Sequence, residues 1–345
     1  MKHNNSGIIL MILAVMAASF FWIEPLKDGV RSGLHLCAAA LIPSLFPFSV
    51  GTNLLLAYGF DDAAEKRFGH MMRRIFGLPG QSAAPFLLGL LGGYPLGAQI
   101  TAQLRKNGSL SRAAAEKTSF FCNNAGPAFI IGAVGAGVFH SLKIGAVLYF
   151  IHVVSAISAG LILRNAPSGL PDAEISSSRS HAAQQVLIGD VLGKSSTAML
   201  RISGIVVFFS ALCAVLRAVI PLHRLPRIVA AALYGSLELT GGCYSLIGAD
   251  PGPAFSVAAV LLGWGGICVH MQALDAFSGT DITIQPYICG KLLQMLLSYI
   301  LSILFRIMIF QDYRPISLLI SLVLLAGFPI ILIISKKRTG NPIRI

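Results

Sequence analysis

The stretch Phe86–Leu104, F-L-L-G-L-L-G-G-Y-P-L-G-A-Q-I-T-A-Q-L, is apolar enough to enter a bilayer but cannot form one straight helix. Pro95 has no amide hydrogen to donate, its ring clashes with the preceding turn, and the neighbouring glycines weaken a helix further. Inside a membrane, the backbone groups freed by such a break must be satisfied by protein or by a water-filled cavity. Because transporters build their binding sites from breaks of this kind, the stretch predicts a cavity beside Gly92–Gly97.

The composition of the whole chain is that of a membrane protein. Its 345 residues are 55% hydrophobic and only 12% charged, whereas soluble domains are about 25% charged. Apolar runs of about 20 residues, the length that spans a bilayer, recur along the chain. The partner that surrounds most of this fold is therefore expected to be the lipid bilayer.

The net charge of +12 arises from Lys and Arg in short runs between apolar segments, which is typical of cytoplasmic loops. No basic run is interleaved with aromatic residues, so no nucleic-acid partner is predicted. The six cysteines lie in or beside apolar segments, and none forms a C-x-x-C pair. We interpret them as small buried hydrophobic residues, and we predict no metal site and no cofactor.

The fold class that these patterns predict is an all-α polytopic membrane protein with about eight transmembrane helices and two re-entrant hairpins. The predicted spans are residues 7–23, 33–58, 118–139, 144–163, 197–220, 253–274, 286–310 and 316–335. Two further apolar segments, 82–103 and 228–249, are broken by glycines. The first lies between basic loops at 61–80 and 105–117. A crossing would put one of these loops outside, so we predict a hairpin that enters and leaves on the same side.

The order of features repeats along the chain: a span, a broken hairpin, a span with polar residues near a glycine, and a plain span. The predicted parts are a first span with its loop (1–32), repeat 1 (33–164), a polar linker (165–196), repeat 2 (197–310) and a last span with a basic tail (311–345). With both termini cytoplasmic, the two repeats have opposite topology, as in many transporters. Arg217, Arg224 and Arg227 disagree with this topology, because it places them outside.

Glu238 lies mid-segment, whereas most of the fourteen acidic residues fall in loops or at segment edges. An ionisable group at that depth is costly and is by default a candidate functional residue. Glu238 either contacts a substrate, binds a cation or carries a proton, or it caps the amide groups of a broken helix.

Polar side chains beside the breaks are the other candidates. Asn123 and Asn124 either face a solute or satisfy the broken backbone, because buried amides need partners. Tyr94 either binds a ligand or packs, and His270 with Gln272 holds the position in repeat 2 that matches the asparagine pair. The predicted substrate-binding residues are Gly92, Gly93, Tyr94, Pro95, Asn123, Asn124, Glu238, Thr240, Gly241, Gly242, His270 and Gln272.

Catalytic motifs are missing from the sequence. It contains no H-E-x-x-H, no G-x-S-x-G and no P-loop, and one deep carboxylate gives no acid–base pair. We therefore predict that the protein is not an enzyme.

Four motifs resemble the YlbJ family of sporulation integral membrane proteins, along about residues 33–304. They are G-G-Y-P-L-G-A at Gly92–Ala98, F-C-N-N-A-G-P-A-F-I-I-G-A-V at Phe121–Val134, E-L-T-G-G at Glu238–Gly242 and W-G-G-I-C-V-H-M-Q at Trp264–Gln272. That family is similar to a wider Gate, or nucleoside-recognition, group that includes the membrane part of the ferrous-iron transporter FeoB. This chain shows neither a GTP-binding motif nor a thiol-lined metal path, so we expect no iron transport.

The resemblance implies a transporter-like protein in the inner membrane of an endospore-forming bacterium, required during sporulation. It supplies no substrate beyond a small polar solute. The alternative is a non-transporting scaffold of a sporulation complex. The protein partners that the resemblance implies are further copies of this chain or other sporulation membrane proteins.

Overall fold

The computed structural model describes residues 10, 16, 20–166, 187–220 and 224–311, and within these residues the chain is helical without any β-strand. The predicted all-α class is therefore confirmed. The α-helices are α1 (Ile23–Leu36), α2 (Ile42–Ala57), α3 (Phe60–Phe76), α4 (Ala83–Gly92), α5 (Leu96–Lys106), α6 (Arg112–Ser119), α7 (Leu142–Ile162), α8 (Ile188–Val219), α9 (Arg227–Leu237), α10 (Leu239–Tyr244), α11 (Pro251–Trp264), α12 (Gly266–Phe277) and α13 (Ile284–Phe310). Two π-helical segments, Cys37–Leu41 and Ala128–Val138, and two 3₁₀ turns, Gly80–Ser82 and Leu163–Asn165, connect them.

Five stretches of the described residues are long and apolar enough to cross a membrane. They are Ile23–Ala57, Leu142–Asn165, Ile188–Val219, Pro251–Phe277 and Ile284–Phe310. A sixth candidate, Phe60–Phe76 with Gly80–Gly92, bends by 94° at its break. The chain is therefore a multi-pass membrane protein.

The prediction of eight spans is not confirmed. Spans 7–23 and 316–335 fall almost entirely outside the described residues. The predicted span 118–139 is interrupted: α6 ends at Ser119, and a π-helical segment of only 11 residues begins at Ala128. The N-N-A-G-P sequence between them explains the interruption, because its glycine and proline do not continue a helix.

Residues 61–80, predicted as a basic loop, instead form most of helix α3. Gly59 and Gly77 bound this helix in the left-handed conformation, with φ of 79° and 66°. Asp61 and Asp62 lie in its first turn and Arg73 in its last, where both signs of charge complement the helix dipole. The loop prediction was wrong because basic residues at a helix C-terminus resemble a basic loop in sequence.

Helices α4 and α5 form hairpin 1, of 10 and 11 residues. Each is about 15 Å long, half of a bilayer core. A Cβ atom built on Gly89 would lie 2.9 Å from Gly97 Cα, whereas eight residues of one straight helix would separate them by about 12 Å. The chain therefore reverses direction at Gly93-Tyr94-Pro95, where the sequence predicted the break.

Helices α9 and α10 form hairpin 2, which breaks at Glu238. A Cβ atom on Gly242 would overlap Gly235 Cα, although a straight helix would separate the two residues by about 10 Å. The predicted interruption of segment 228–249 is thus present, and Gly241 and Gly242 lie in the short second arm of the hairpin.

Each hairpin break packs on a break in another element of the same half of the chain. A Cβ atom on Gly93 would lie 3.1 Å from Gly126 N, in the interruption between α6 and Ala128–Val138. In the second half, a Cβ atom on Gly266, between α11 and α12, would lie 3.1 Å from both Gly235 O and Leu237 O. Only glycine allows backbones to approach this closely.

The longer helices of the two halves pack against each other. Helix α1, most of which precedes the predicted repeat 1, packs along α8; α2 also contacts α8, and α7 packs along α13. Within the halves, Ala128–Val138 packs on α7 and α11 packs on α13. Helix α8 begins at Ile188, nine residues before the predicted boundary of the second repeat at 197.

Two ionic clusters tie the base of hairpin 1 to the loop between α12 and α13. Arg105 donates from Nε and Nη2 to the two carboxylate oxygens of Asp281, at 2.8 Å each. Glu116 Oε1 accepts hydrogen bonds from Arg112 Nε at 3.0 Å and from the amide of Thr283 at 3.1 Å. The open end of the hairpin is thereby fixed to the other half of the protein.

Gly97→Ala should destabilise the protein, because the new Cβ would overlap the Cys122 carbonyl and lie 3.0 Å from Asn123 Cα. Overpacking of this kind costs about 1–3 kcal/mol, which thermal unfolding of the purified protein will measure. Gly204→Ala is the matched control, because nothing lies within 4 Å of its Cβ position. An unchanged melting temperature for Gly97→Ala would contradict the close approach of α5 to this backbone.

Stability should also depend on pH through Asp281, whose pKa is held below its usual range by the hydrogen bond from Arg105. A lowered folded-state pKa stabilises the protein above the unfolded value, and this stabilisation is lost as pH falls through the folded value. Wild type should therefore melt above Asp281→Asn at pH 7; the difference should begin to shrink near the unfolded pKa of about 4 and vanish only below the lowered folded pKa.

Arg105→Gln provides the control for this pH dependence. In that background the pH-dependent effect of Asp281→Asn on the melting temperature should be much smaller, because the largest cause of the lowered pKa is gone and only the weaker effects of the Asp281 backbone and Arg112 remain. A pH-dependent difference of undiminished size there would assign the effect to another group.

Candidate functional site

A cavity of about 150 Å3 lies where the two hairpin breaks meet. Its volume is similar to that of cavities that admit one benzene-sized molecule. Both hairpins, α1 and α2, the Ala128–Val138 segment, α8 and α12 contribute to the wall. The lining residues are Leu36, Ala40, Leu41, Ser44, Leu45, Phe48, Leu91, Gly92, Gly93, Tyr94, Ala125, Gly126, Ala128, Phe129, Ala133, Val206, Glu238, Leu239, Thr240, Tyr244, Cys268, Val269 and Gln272.

The structure brings half of the predicted substrate-binding residues to this cavity. Those that line it are Gly92, Gly93, Tyr94, Glu238, Thr240 and Gln272. The others, Pro95, Asn123, Asn124, Gly241, Gly242 and His270, are not part of its lining. Substrate contact by any of these residues stays a prediction.

Glu238 caps helix α10 with its own side chain. Its Oε1 accepts a hydrogen bond from the amide of Thr240 at 2.8 Å, and its Oε2 accepts one from Gly241 at 2.6 Å. A carboxylate at a helix N-terminus also complements the helix dipole. The carboxylate therefore caps the amide groups of the broken helix, which is one of the two roles that the sequence left open. It also lines the cavity.

Arg217, near the end of α8, brings a positive charge to the same break. Its guanidinium carbon lies 4.3 Å from the centre of the Tyr234 ring. A Cβ atom built on Gly241 would lie 3.0 Å from Glu238 Oε2 and 3.2 Å from Arg217 Nη2, so both groups face one point. This position gives the deep carboxylate a cationic neighbour.

Lys291, two turns into α13, is a buried ionisable residue that the sequence reasoning missed. Only 1% of its surface is exposed. Its Nζ donates to Tyr94 Oη at 2.8 Å, to Gln294 Oε1 at 2.7 Å and to the Asn123 carbonyl at 3.4 Å. The rule that identified Glu238 applies equally to a lysine inside the predicted span 286–310, but we applied it only to acidic residues.

The asparagine pair and His270 are held in the network around Lys291. Gln294 Nε2 donates to Asn124 Oδ1 at 3.1 Å. Tyr287 Oη bonds to Asn123 Nδ2 at 3.3 Å and to His270 Nδ1 at 3.2 Å. These predicted site residues therefore come together behind the cavity, on the side of α13.

Several of these side chains satisfy backbone groups that the breaks expose. In the interruption after α6, Asn124 Nδ2 donates to the Phe121 carbonyl at 2.7 Å. His152 Nε2 accepts from the amide of Ala125 at 3.0 Å. His152 is not among the predicted site residues, because a lone histidine carries no signal of a partner 27 residues away.

Tyr94 separates the cavity from the network. One side of it lines the cavity, and its ring lies 3.4 Å from the Cβ position of Gly265. Its hydroxyl donates to the Leu262 carbonyl at 2.9 Å and accepts from Lys291. Tyr94 thus connects the tip of hairpin 1 with the break between α11 and α12 and with α13.

The fold and site define a helical multi-pass membrane protein with a cavity between two broken hairpins. Residues 38–140, from the first π-helical segment through hairpin 1 to the end of Ala128–Val138, match the family model Gate, described as nucleoside recognition. No solved structure matches the chain.

The chain is similar to the sporulation integral membrane protein YlbJ of Bacillus subtilis (strain 168). The two are 27% identical over an alignment of 329 residues, which covers 85% of this chain and 80% of the relative. The resemblance that the motifs predicted is therefore confirmed over most of the sequence.

Proposed function

We propose that this protein is a membrane carrier or channel-like permease that binds a small polar solute between its two hairpins. One observation carries the proposal: both breaks open onto the same cavity, through Gly93 and Tyr94 on one side and Glu238 and Thr240 on the other. The similarity to YlbJ supports a role in the bacterial cell membrane during sporulation. The Gate match supports transport rather than catalysis.

The side chains that line the cavity restrict the kind of solute that can bind. Most lining residues are apolar, and the polar side chains among them include Ser44, Glu238, Thr240 and Gln272. Binding sites of this composition hold an apolar body and orient it with a few polar contacts. We therefore propose a solute about the size of one ring that carries hydrogen-bonding groups.

We further propose the inverted repeat with eight crossings and both termini in the cytoplasm. The packing of α2 on α8 and of α7 on α13 supports it, because corresponding elements meet as they would about a twofold axis. The half-bilayer length of α4 and α5 supports a re-entrant hairpin. Rocking of one repeat against the other would then expose the cavity to either side.

Binding can be tested by thermal unfolding of the purified protein with nucleobases, nucleosides, amino acids and divalent cations. A ligand at a hundredfold excess over its Kd stabilises the folded state by about 2.7 kcal/mol. Thr240→Val removes one lining hydroxyl and should weaken the binding of a stabilising compound severalfold, the value of one hydrogen bond.

Thr197→Val is the matched control, because Thr197 is exposed on α8 and its hydroxyl bonds to the Gly193 carbonyl, away from the cavity. It should bind the same compound as tightly as wild type. If no compound stabilises the folded wild type, the scaffold function becomes the better explanation.

Hairpin topology can be tested by labelling Arg74→Cys and Asn107→Cys with a membrane-impermeant maleimide. Both positions are exposed and flank hairpin 1, so both should react from the same side of the membrane. Cys289→Ser is the background, because the other five cysteines are buried.

Lys143→Cys and Arg164→Cys provide the reference pair, because these exposed positions lie at opposite ends of the α7 span. They should react from opposite sides. The same opposite-side result for Arg74→Cys and Asn107→Cys would show that the segment crosses the membrane.

A further inference from the structure

The hydrogen-bond partners of Lys291 match those that a charged lysine requires. Tyr94 donates its one hydrogen to the Leu262 carbonyl, so its oxygen can only accept from Lys291. The amide nitrogen of Gln294 donates to Asn124 Oδ1 and to the His152 carbonyl, so its oxygen accepts as well. With the Asn123 carbonyl, Lys291 Nζ has three acceptors, which match the three hydrogens of an ammonium group.

The charge is stabilised by neutral groups that belong to different elements. No carboxylate is among the three contacts of Nζ, which also lies 4.9 Å from the centre of the Tyr94 ring. Tyr94 belongs to the tip of hairpin 1, and Asn123 belongs to the interruption that packs on that tip. Burial opposes a charged lysine, whereas hydrogen-bond acceptors favour it. The charged form of Lys291 is therefore stabilised by the packing of the tip of hairpin 1 against α13.

The other titratable groups around Lys291 come from the elements packed against α13. Hairpin 1 contributes Tyr94, the interruption contributes Cys122, α7 contributes His152 and α12 contributes His270, which reaches the network through Tyr287 of α13 itself. Helix α11 contains no titratable side chain. Helix α6 contributes Glu116, which bonds to Thr283, about two helical turns from Lys291.

We propose that Lys291 is a proton-binding site that controls the tip of hairpin 1 and thereby the cavity. In the charged form, three hydrogen bonds hold Tyr94 and the interruption on α13, as observed. Loss of the proton to solvent leaves two hydrogens for three acceptors, which weakens the contact with the tip. Deprotonation thus favours a conformation in which the tip leaves α13.

The inference rests on the proposed function, because Tyr94 is also a wall of the solute cavity. Coupling between two sites is reciprocal in binding free energy. If deprotonation displaces Tyr94, a solute that contacts Tyr94 must in turn change the affinity of Lys291 for its proton. The coupling ion of the carrier would then be the proton, bound by Lys291 rather than by Glu238.

Trp264 provides a reporter for the tip. Its indole lies beside His270, with ring centres 4.1 Å apart, and it precedes Gly265, on which the Tyr94 ring packs. The chain has two tryptophans, so Trp22→Phe leaves Trp264 as the sole emitter. In lipid nanodiscs, quenching of Trp264 by acrylamide should increase in one step as pH is raised from about 5 to about 11, a range that brackets the ordinary pKa values of histidine and lysine.

Variants in the Trp22→Phe background identify the group that titrates. Lys291→Met, which is always neutral, and Lys291→Arg, which is always charged, should both lose the step. Lys143→Met, at the exposed start of α7, should keep it. A step that persists in a folded Lys291→Met or Lys291→Arg protein overturns the inference, as does the absence of any step in the parent.

The solute panel separates this inference from the proposed function. A stabilising compound together with a step that survives in the Lys291 variants overturns only the proton site. A Lys291-dependent step without any stabilising compound overturns the carrier function and leaves the proton site. With both present, the compound should shift the pH at the midpoint of the step, and an unmoved midpoint overturns the coupling.

Discussion

The backbone groups freed by each helix break must find partners inside the membrane, and several of the polar side chains beside the breaks meet that requirement. Glu238 binds two amides at its own break, Trp264 Nε1 donates to the Ser236 carbonyl at 3.1 Å, and Tyr94 donates to the Leu262 carbonyl. Because unsatisfied backbone groups cost several kcal/mol in hydrocarbon, these contacts allow the breaks, and hence the cavity, to exist.

The sequence predicted the breaks well, because glycine and proline act on their own backbone. The reversal at Tyr94, the interruption at Glu238 and the all-α class all follow from local chemistry. The partners of polar side chains were not predictable in this way, because Asn123 bonds to Tyr287, 164 residues later, and Asn124 bonds to Gln294, 170 residues later. Helix α3 and the interrupted span 118–139 were misassigned for another reason: segment length and charge were the guides there, although Gly126 and Pro127 carried a local signal of the interruption.

The two deep charges differ in how their surroundings support them. Glu238 bonds to amides two and three residues away, so its contacts move with its own hairpin. Lys291 depends on Tyr94, 197 residues away, and on Asn123, 168 residues away. A rearrangement of the helices therefore alters the environment of the lysine while it leaves the capped carboxylate intact. Both residues lie far inside an apolar segment, so the sequence alone makes them equally strong candidates. The tertiary contacts distinguish them: Glu238 caps its own helix, whereas the environment of Lys291 depends on distant elements.

The side chains that complete the breaks are exchanged between the two halves of the chain. Tyr94 from the first half satisfies the carbonyl of Leu262 in the second, and Lys291 from the second half binds the carbonyl of Asn123 in the first. Each half also satisfies part of its own backbone, because Glu238 caps its own break and Asn124 bonds to the Phe121 carbonyl. The two halves nevertheless depend on each other, because separating them would leave the carbonyls of Leu262 and Asn123 without these partners.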